Sequence, residues 1–170
     1  MPLVIEDGSG VANANSYGNL ADARSYAADR GVTLSTDDPT LTAQLILACD
    51  FLESFADRYV GSPVSFTQSL SWPRQGVMYD CDTAFPSNEI PPQLISAQYQ
   101  LCIEQFNGID LQPTTDYSQG GYVTEEKTDV LITKYSEKIG TTQAPLMPKV
   151  MALLKTLLNS TGGTLRTVRV

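Results

Sequence analysis

The sequence contains no histidine. That removes the side chain that most often acts as general base near neutral pH, the commonest metal ligand, and the middle member of a serine or cysteine triad. Histidine-dependent catalysis is therefore excluded. Also missing are a GxxxxGK[ST] phosphate loop and a GxGxxG turn after a strand, and Gly8-Ser9-Gly10 lacks the lysine and following helix that a nucleotide site requires. Cysteine is scarce: Cys49, Cys81 and Cys102 form an odd set without CxxC spacing. Neither a disulfide framework nor a zinc knuckle is indicated, and the three read as reduced thiols, two of them in helical cores. No apolar run approaches the roughly 20 residues that cross a bilayer. The opening Met1 to Gly10 carries Glu6 and Asp7 and no basic or long apolar segment, so the protein is expected to be made and kept in the cytosol.

Basic residues are also in short supply. Eleven stand against 19 acidic ones, a net charge of -8, which disfavours tight contact with a polyanion unless the cations are concentrated. Lys127, Lys134, Lys138, Lys149, Lys155, Arg166 and Arg169 lean toward the C-terminal half, but acidic residues interleave with the first three. A solvated face is the expected reading.

What is present points to one folded unit. At 170 residues and 42% hydrophobic content the chain has the size and apolar material of a single domain. After a loop rich in small residues and turn formers, Asn19 is placed to cap a first helix in which Leu20, Ala23, Tyr26 and Ala27 share a face, with Gly31 stopping it. Asp38-Pro39 announces a longer second helix whose apolar series Leu41, Leu45, Ala48, Leu52, Phe55 and Tyr59 steps by four and three until Gly61-Ser62-Pro63. Residues 63–92 lose this period and are expected to be a structured crossover, with one short strand around Ser65 to Ser71. Trp72, the single tryptophan, is expected to plug it.

Ile90-Pro91-Pro92 opens a third helix with Leu94, Ile95, Ala97, Leu101, Cys102 and Phe106 on one face, ended by Asn107-Gly108 and packed along the second. The β-prone runs Tyr122 to Lys127 and Val130 to Tyr135 predict a hairpin across Thr128-Asp129. Two strands alone are marginal in water, so it must lie on helices or on a neighbouring subunit. A last helix follows Pro145 and Pro148, with Val150, Leu153, Leu154, Leu157 and Leu158 as its seam. The tail Thr164 to Val170 is β-prone without an evident partner strand, which suits addition to another protein's sheet or a frayed end. The expected fold is mainly α: a four-helix subunit with a β-hairpin and an extended C-terminal tail.

Two acidic groupings were candidates for chemistry. Asp80-Cys81-Asp82 with Glu89 offers oxygen ligands for a hard cation, although adjacent carboxylates more often mark a solvated loop. Asp50, Glu53 and Glu104 lie on neighbouring helices as a conceivable acid-base pair, with solvent-facing surfaces as the plainer reading. No catalytic residue, metal or cofactor is expected.

The stretch Val4 to Tyr17, which contains Glu6, Asp7, Gly8, Asn13, Asn15, Ser16 and Tyr17, resembles the opening of a family of tailed-bacteriophage neck proteins. Leu70 to Val77, containing Trp72, Pro73 and Arg74, and Glu89 to Pro92 resemble two internal signatures of that family. It is similar to head-tail adaptors, also called connector or head-completion proteins, and its members are often labelled DnaT-like single-stranded DNA-binding proteins. The adaptor resemblance implies a non-enzymatic virion protein of the neck, present in the host cytoplasm during assembly. It implies a homo-oligomeric ring of about twelve copies, docked on the portal protein and followed by a stopper or tail-completion protein. Genomic double-stranded DNA would pass through the channel without specific binding, and no membrane would be involved.

On that reading residues 1–163 are the helical adaptor domain, with a hairpin at about 121–136, and 164–170 the docking tail. Thr164, Leu165, Arg166, Thr167, Val168, Arg169 and Val170 would grip the portal. Tyr122, Val123, Val130, Leu131, Ile132 and Tyr135 would face the next subunit. The rival expectation, a single-stranded DNA-binding protein, needs a positive groove with exposed aromatics. Tyr117, Tyr122, Tyr135 and nearby lysines are its candidates, with Glu125, Glu126, Asp129 and Glu137 among them.

Overall fold

The computed structural model describes residues 2–80, 83–113, 125–128, 131–134 and 147–159. Helix α1 spans Leu20–Ala28, and its cap is the expected one: the Asn19 side chain accepts the Asp22 N–H at 2.8 Å. Gly31, at φ 72°, turns the chain away three residues past its end. Because this cap satisfies an otherwise orphaned donor, Asn19→Ala should lower stability by about 1 kcal/mol. Urea unfolding monitored by circular dichroism measures it, and an unchanged midpoint would show the cap to be idle.

Helix α2 runs Asp38–Glu53, capped by Asp37 and with Pro39 in its first turn. It stops before the predicted Tyr59. From Ser54 the chain tightens into three-residue turns, with the N–H groups of Phe55, Ala56 and Arg58 donating to Leu52, Glu53 and Phe55. Such turns keep Phe55 and Tyr59 on the apolar side, which is why the periodicity ran on past the helix. The Tyr59 hydroxyl then donates to the Leu52 carbonyl at 2.9 Å.

Helix α3, Pro92–Phe106, is the central element and packs against α1, α2 and α4. Residues 97–103 are all buried, so the apolar face predicted for it is in fact most of its circumference. Helix α4, Pro148–Leu154, carries the predicted seam inward through Val150 and Leu154, and Leu157 continues it in the turns beyond.

The crossover differs from expectation. Residues 65–71 form turns and bends, not a strand, because side chains satisfy the local polar groups: Gln68 accepts the Ser65 N–H and donates to the carbonyls of Leu70 and Pro73. Pairing occurs on either side. β1, Ser62–Pro63, lies antiparallel to β2, Arg74–Gln75, and β3, Met78–Asp80, lies antiparallel to β4, Thr83–Ala84. A hairpin is present as β5, Glu125–Thr128, and β6, Leu131–Lys134, but Thr128, expected in its turn, is a strand residue paired with Leu131. Among the described residues three small ladders stand beside four helices, and the fold is mixed α/β, where a mainly α subunit was predicted. Proline and glycine barred the crossover from helix, and a reading built on helical period has no means of finding two-residue ladders.

Candidate nucleic-acid interface

The signature residues come together, most of them inside, with Asp7 and Asn13 exposed. Glu6 is buried, and its carboxylate accepts the N–H groups of Gly8, Gly10 and Val11 at 2.8 to 2.9 Å, wrapping the opening loop around one side chain. Gly8 sits at φ 101°, and a Cβ there would run into the Asn88 carbonyl, so only glycine fits beside the Glu89 segment. Asn15 accepts the Val4 N–H, Asn13 (φ 60°) donates its N–H to the Ser69 hydroxyl, and exposed Asp7 accepts the Ser9 N–H, its carboxyl pKa lowered by hydrogen bonding from the Ser9 side chain and then from that N–H.

Tyr17 links this loop to the crossover. Its hydroxyl donates to Glu53 at 2.6 Å and accepts the Trp72 N–H, while Glu53 also accepts the N–H and hydroxyl of Ser71. Burial, reinforced by the Glu53 charge, pushes the Tyr17 pKa well up. Trp72 is fully buried as predicted, edge-on to Tyr59 and Phe85 at 6.0 and 6.2 Å, and its peptide bond to Pro73 is cis. The Arg74 guanidinium donates to the carbonyls of Tyr59, Val60, Gly61 and Ser71, and burial lowers its pKa. These residues are scaffold.

The acidic candidates are likewise engaged separately. Both Glu53 oxygens are taken by Tyr17 and Ser71, Glu104 accepts from Gln100, and Asp50 is exposed. Among the described residues no group of three His, Cys, Asp or Glu could hold a metal ion. Cys81 and Asp82 lie outside them, as do Tyr122, Val123, Val130, Tyr135, Tyr117 and the whole tail Thr164 to Val170. Leu131 and Ile132 stand in β6 opposite Thr128 and Lys127.

A different face emerges from the way the chain ends are tied. The segment after α2 pairs with the segment after α4: the Val60 N–H donates to the Leu157 carbonyl at 3.0 Å, and the Asn159 N–H to the Arg58 carbonyl at 2.7 Å. This joins the two longest acid-free stretches of the sequence. Residues 58–79 hold Arg58 and Arg74 and no carboxylate, bounded by Asp57 and Asp80. Residues 138–170 hold Lys138, Lys149, Lys155, Arg166 and Arg169 and again none, so residues 1–137, with six basic and 19 acidic groups, carry a net charge of -13.

The solvated-face reading of the lysines missed this, because it weighed the interleaved acids before Lys138 and not their absence after Glu137. Lys149 and Lys155 are exposed on and just after α4, and Phe66 projects from the first stretch fully exposed. The signal for Phe66 was in the sequence: a lone aromatic between Ser65 and Thr67 belongs to no apolar period. Between the two stretches lies a cavity of about 160 Å³ whose walls include Val77, Phe85, Pro91, Gln93, Thr156 and Leu157.

The model of one protein family, described as "Putative DnaT-like ssDNA binding protein", matches residues 1–170. The chain belongs to this family. No curated protein and no solved structure matches it. The whole-length match corrects the phage-neck description: it gives no support to virion protein, head-tail adaptor, connector, portal-binding ring or DNA channel, and its wording agrees better with the alternative of single-stranded DNA binding.

Proposed function

We propose that this protein binds single-stranded DNA on the face where the two acid-free stretches meet. The observation that carries the reading is the segregation of charge: five cations without a carboxylate in residues 138–170, tied by backbone hydrogen bonds to a second stretch that holds Arg58 and exposed Phe66. Cations neutralise phosphates and release counterions, and an exposed ring gives a base a surface on which to stack. The DnaT-like family description supports the same chemistry. The acidic remainder repels the strand elsewhere, which confines contact to this face and makes affinity steeply dependent on salt.

Fluorescence anisotropy with a labelled oligonucleotide across a salt series tests the reading. Each phosphate contact contributes about -0.7 to the slope of log K against log salt for a single strand. Replacing Lys149 and Lys155 by alanine should therefore flatten the slope by about 1.4. Absence of salt-dependent binding by the unaltered protein even at low salt would falsify the proposal.

A further inference from the structure

We infer that the cavity between Phe85 and Leu157 receives a single pyrimidine base of the bound strand; this rests on the strand-binding reading and names the group recognised. At about 160 Å³ the space is too small for a drug-sized ligand, whereas an apolar cavity of ~150 Å³ accommodates a benzene-sized ring. Its walls are mainly apolar, Val77, Pro91 and Leu157 with the Phe85 ring, and no carboxylate lines it. Two features fit a base better than a protein side chain. Gln93 is among the lining residues, and its side-chain amide oxygen is buried with no hydrogen-bond partner. A pyrimidine edge carries the alternating donors and acceptors that a side-chain amide can pair with. The opposite wall, Thr156 and Leu157, directly follows exposed Lys155 in the acid-free C-terminal segment, where a strand's phosphates are attracted. A single strand can supply such a base because its bases are free to unstack.

The cavity also has a built-in reporter. Phe85 forms its wall and stands edge-on to Trp72, the protein's single tryptophan, at 6.2 Å. The experiment compares the full chain on labelled oligo(dT), oligo(dA) and an abasic strand of equal length. A base in the cavity, added to the one stacked on Phe66, should make oligo(dT) bind more than about tenfold more tightly than the abasic strand, each protein–base contact being worth about that factor. Oligo(dA) should fall between them. Thr156→Phe, which fills the cavity from an exposed position, should bring oligo(dT) down to the level of oligo(dA), both keeping the stack on Phe66 that the abasic strand lacks. Gln93→Leu should reduce the same preference, and provides the check if the first variant fails to fold.

Thymidine should alter Trp72 emission, and N-acetyltyrosinamide should not. Equal, salt-dependent binding of oligo(dT) and oligo(dA) would overturn the cavity assignment and leave the strand-binding reading standing. No binding of any strand would remove both. A Trp72 response to the tyrosine analogue alone would assign the cavity to a protein side chain instead.

Discussion

Replacing Gln98 by leucine is expected to lower stability by about 2–6 kcal/mol, a large part of the roughly 5–15 kcal/mol that holds a domain of this size together. Gln98 lies on α3 with no exposure, and its amide makes four hydrogen bonds. Its oxygen accepts the N–H groups of Tyr17 and Gly18 at 3.0 and 2.9 Å; its nitrogen donates to the Ser16 hydroxyl and the Leu45 carbonyl, both at 2.8 Å. One side chain thus fastens the opening loop to α2 and α3. Leucine fills a similar volume but leaves two buried backbone donors without acceptors, at about 1–3 kcal/mol each. The nearby Gly18 leaves no room for adjustment, since even a Cβ there would meet the Tyr99 ring. Urea titration of both proteins gives the difference directly. A midpoint shift equivalent to less than about 1 kcal/mol would mean that the loop finds other partners.

The second large effect is alkaline. Burial pushes the Cys102 thiol from 9.0 up to about 12 and the Tyr99 hydroxyl from 10.0 up to about 12, and raises Cys49, Tyr59 and Tyr17 as well. All are acids whose neutral form the fold favours, so their folded pKa values lie above the unfolded ones. Their stabilising contribution is complete below about pH 9, where the unfolded thiols are still protonated, and is lost as pH rises toward 12 and beyond, because the unfolded chain releases its protons first. For Cys102 alone, at about 1.4 kcal/mol per pH unit, the loss is on the order of 4 kcal/mol. The protein should therefore unfold cooperatively within this window. Melting temperature measured at intervals from pH 8 to 12 should fall steeply above 9, and Cys102→Ala should flatten the fall. A level melting curve over that range would contradict the packing around α3.

Much of the architecture was legible in the residues. Asn19, Asp38-Pro39, Pro91-Pro92 and Asn107-Gly108 marked helix ends that the structure places within a residue or so, because caps and prolines act through local geometry. The C-terminal end of α2 was misread since three-residue turns and a helix put apolar residues on the same side. The strand expected at Ser65 to Ser71 failed because Gln68 satisfies that loop from within.

The candidate site was less legible. The motifs that carried the family resemblance turned out to be interior: Glu6, Tyr17, Trp72 and Arg74 form the buried polar network rather than a surface. The exposed groups, Phe66, Lys149 and Lys155, belong to no motif.

The sequence alone determined the absence of histidine chemistry, the positions of the four helices and the separation of an acidic body from a cationic C-terminal segment, residues 138–170, all of which are properties of composition and short-range order. Only the tertiary structure decided which distant groups meet. Arg58 lies against Asn159 through a backbone hydrogen bond spanning a hundred residues, and one cavity is walled by Val77, Gln93 and Leu157. Such meetings arise from the burial of α3 among three helices, a condition that no local window of residues contains.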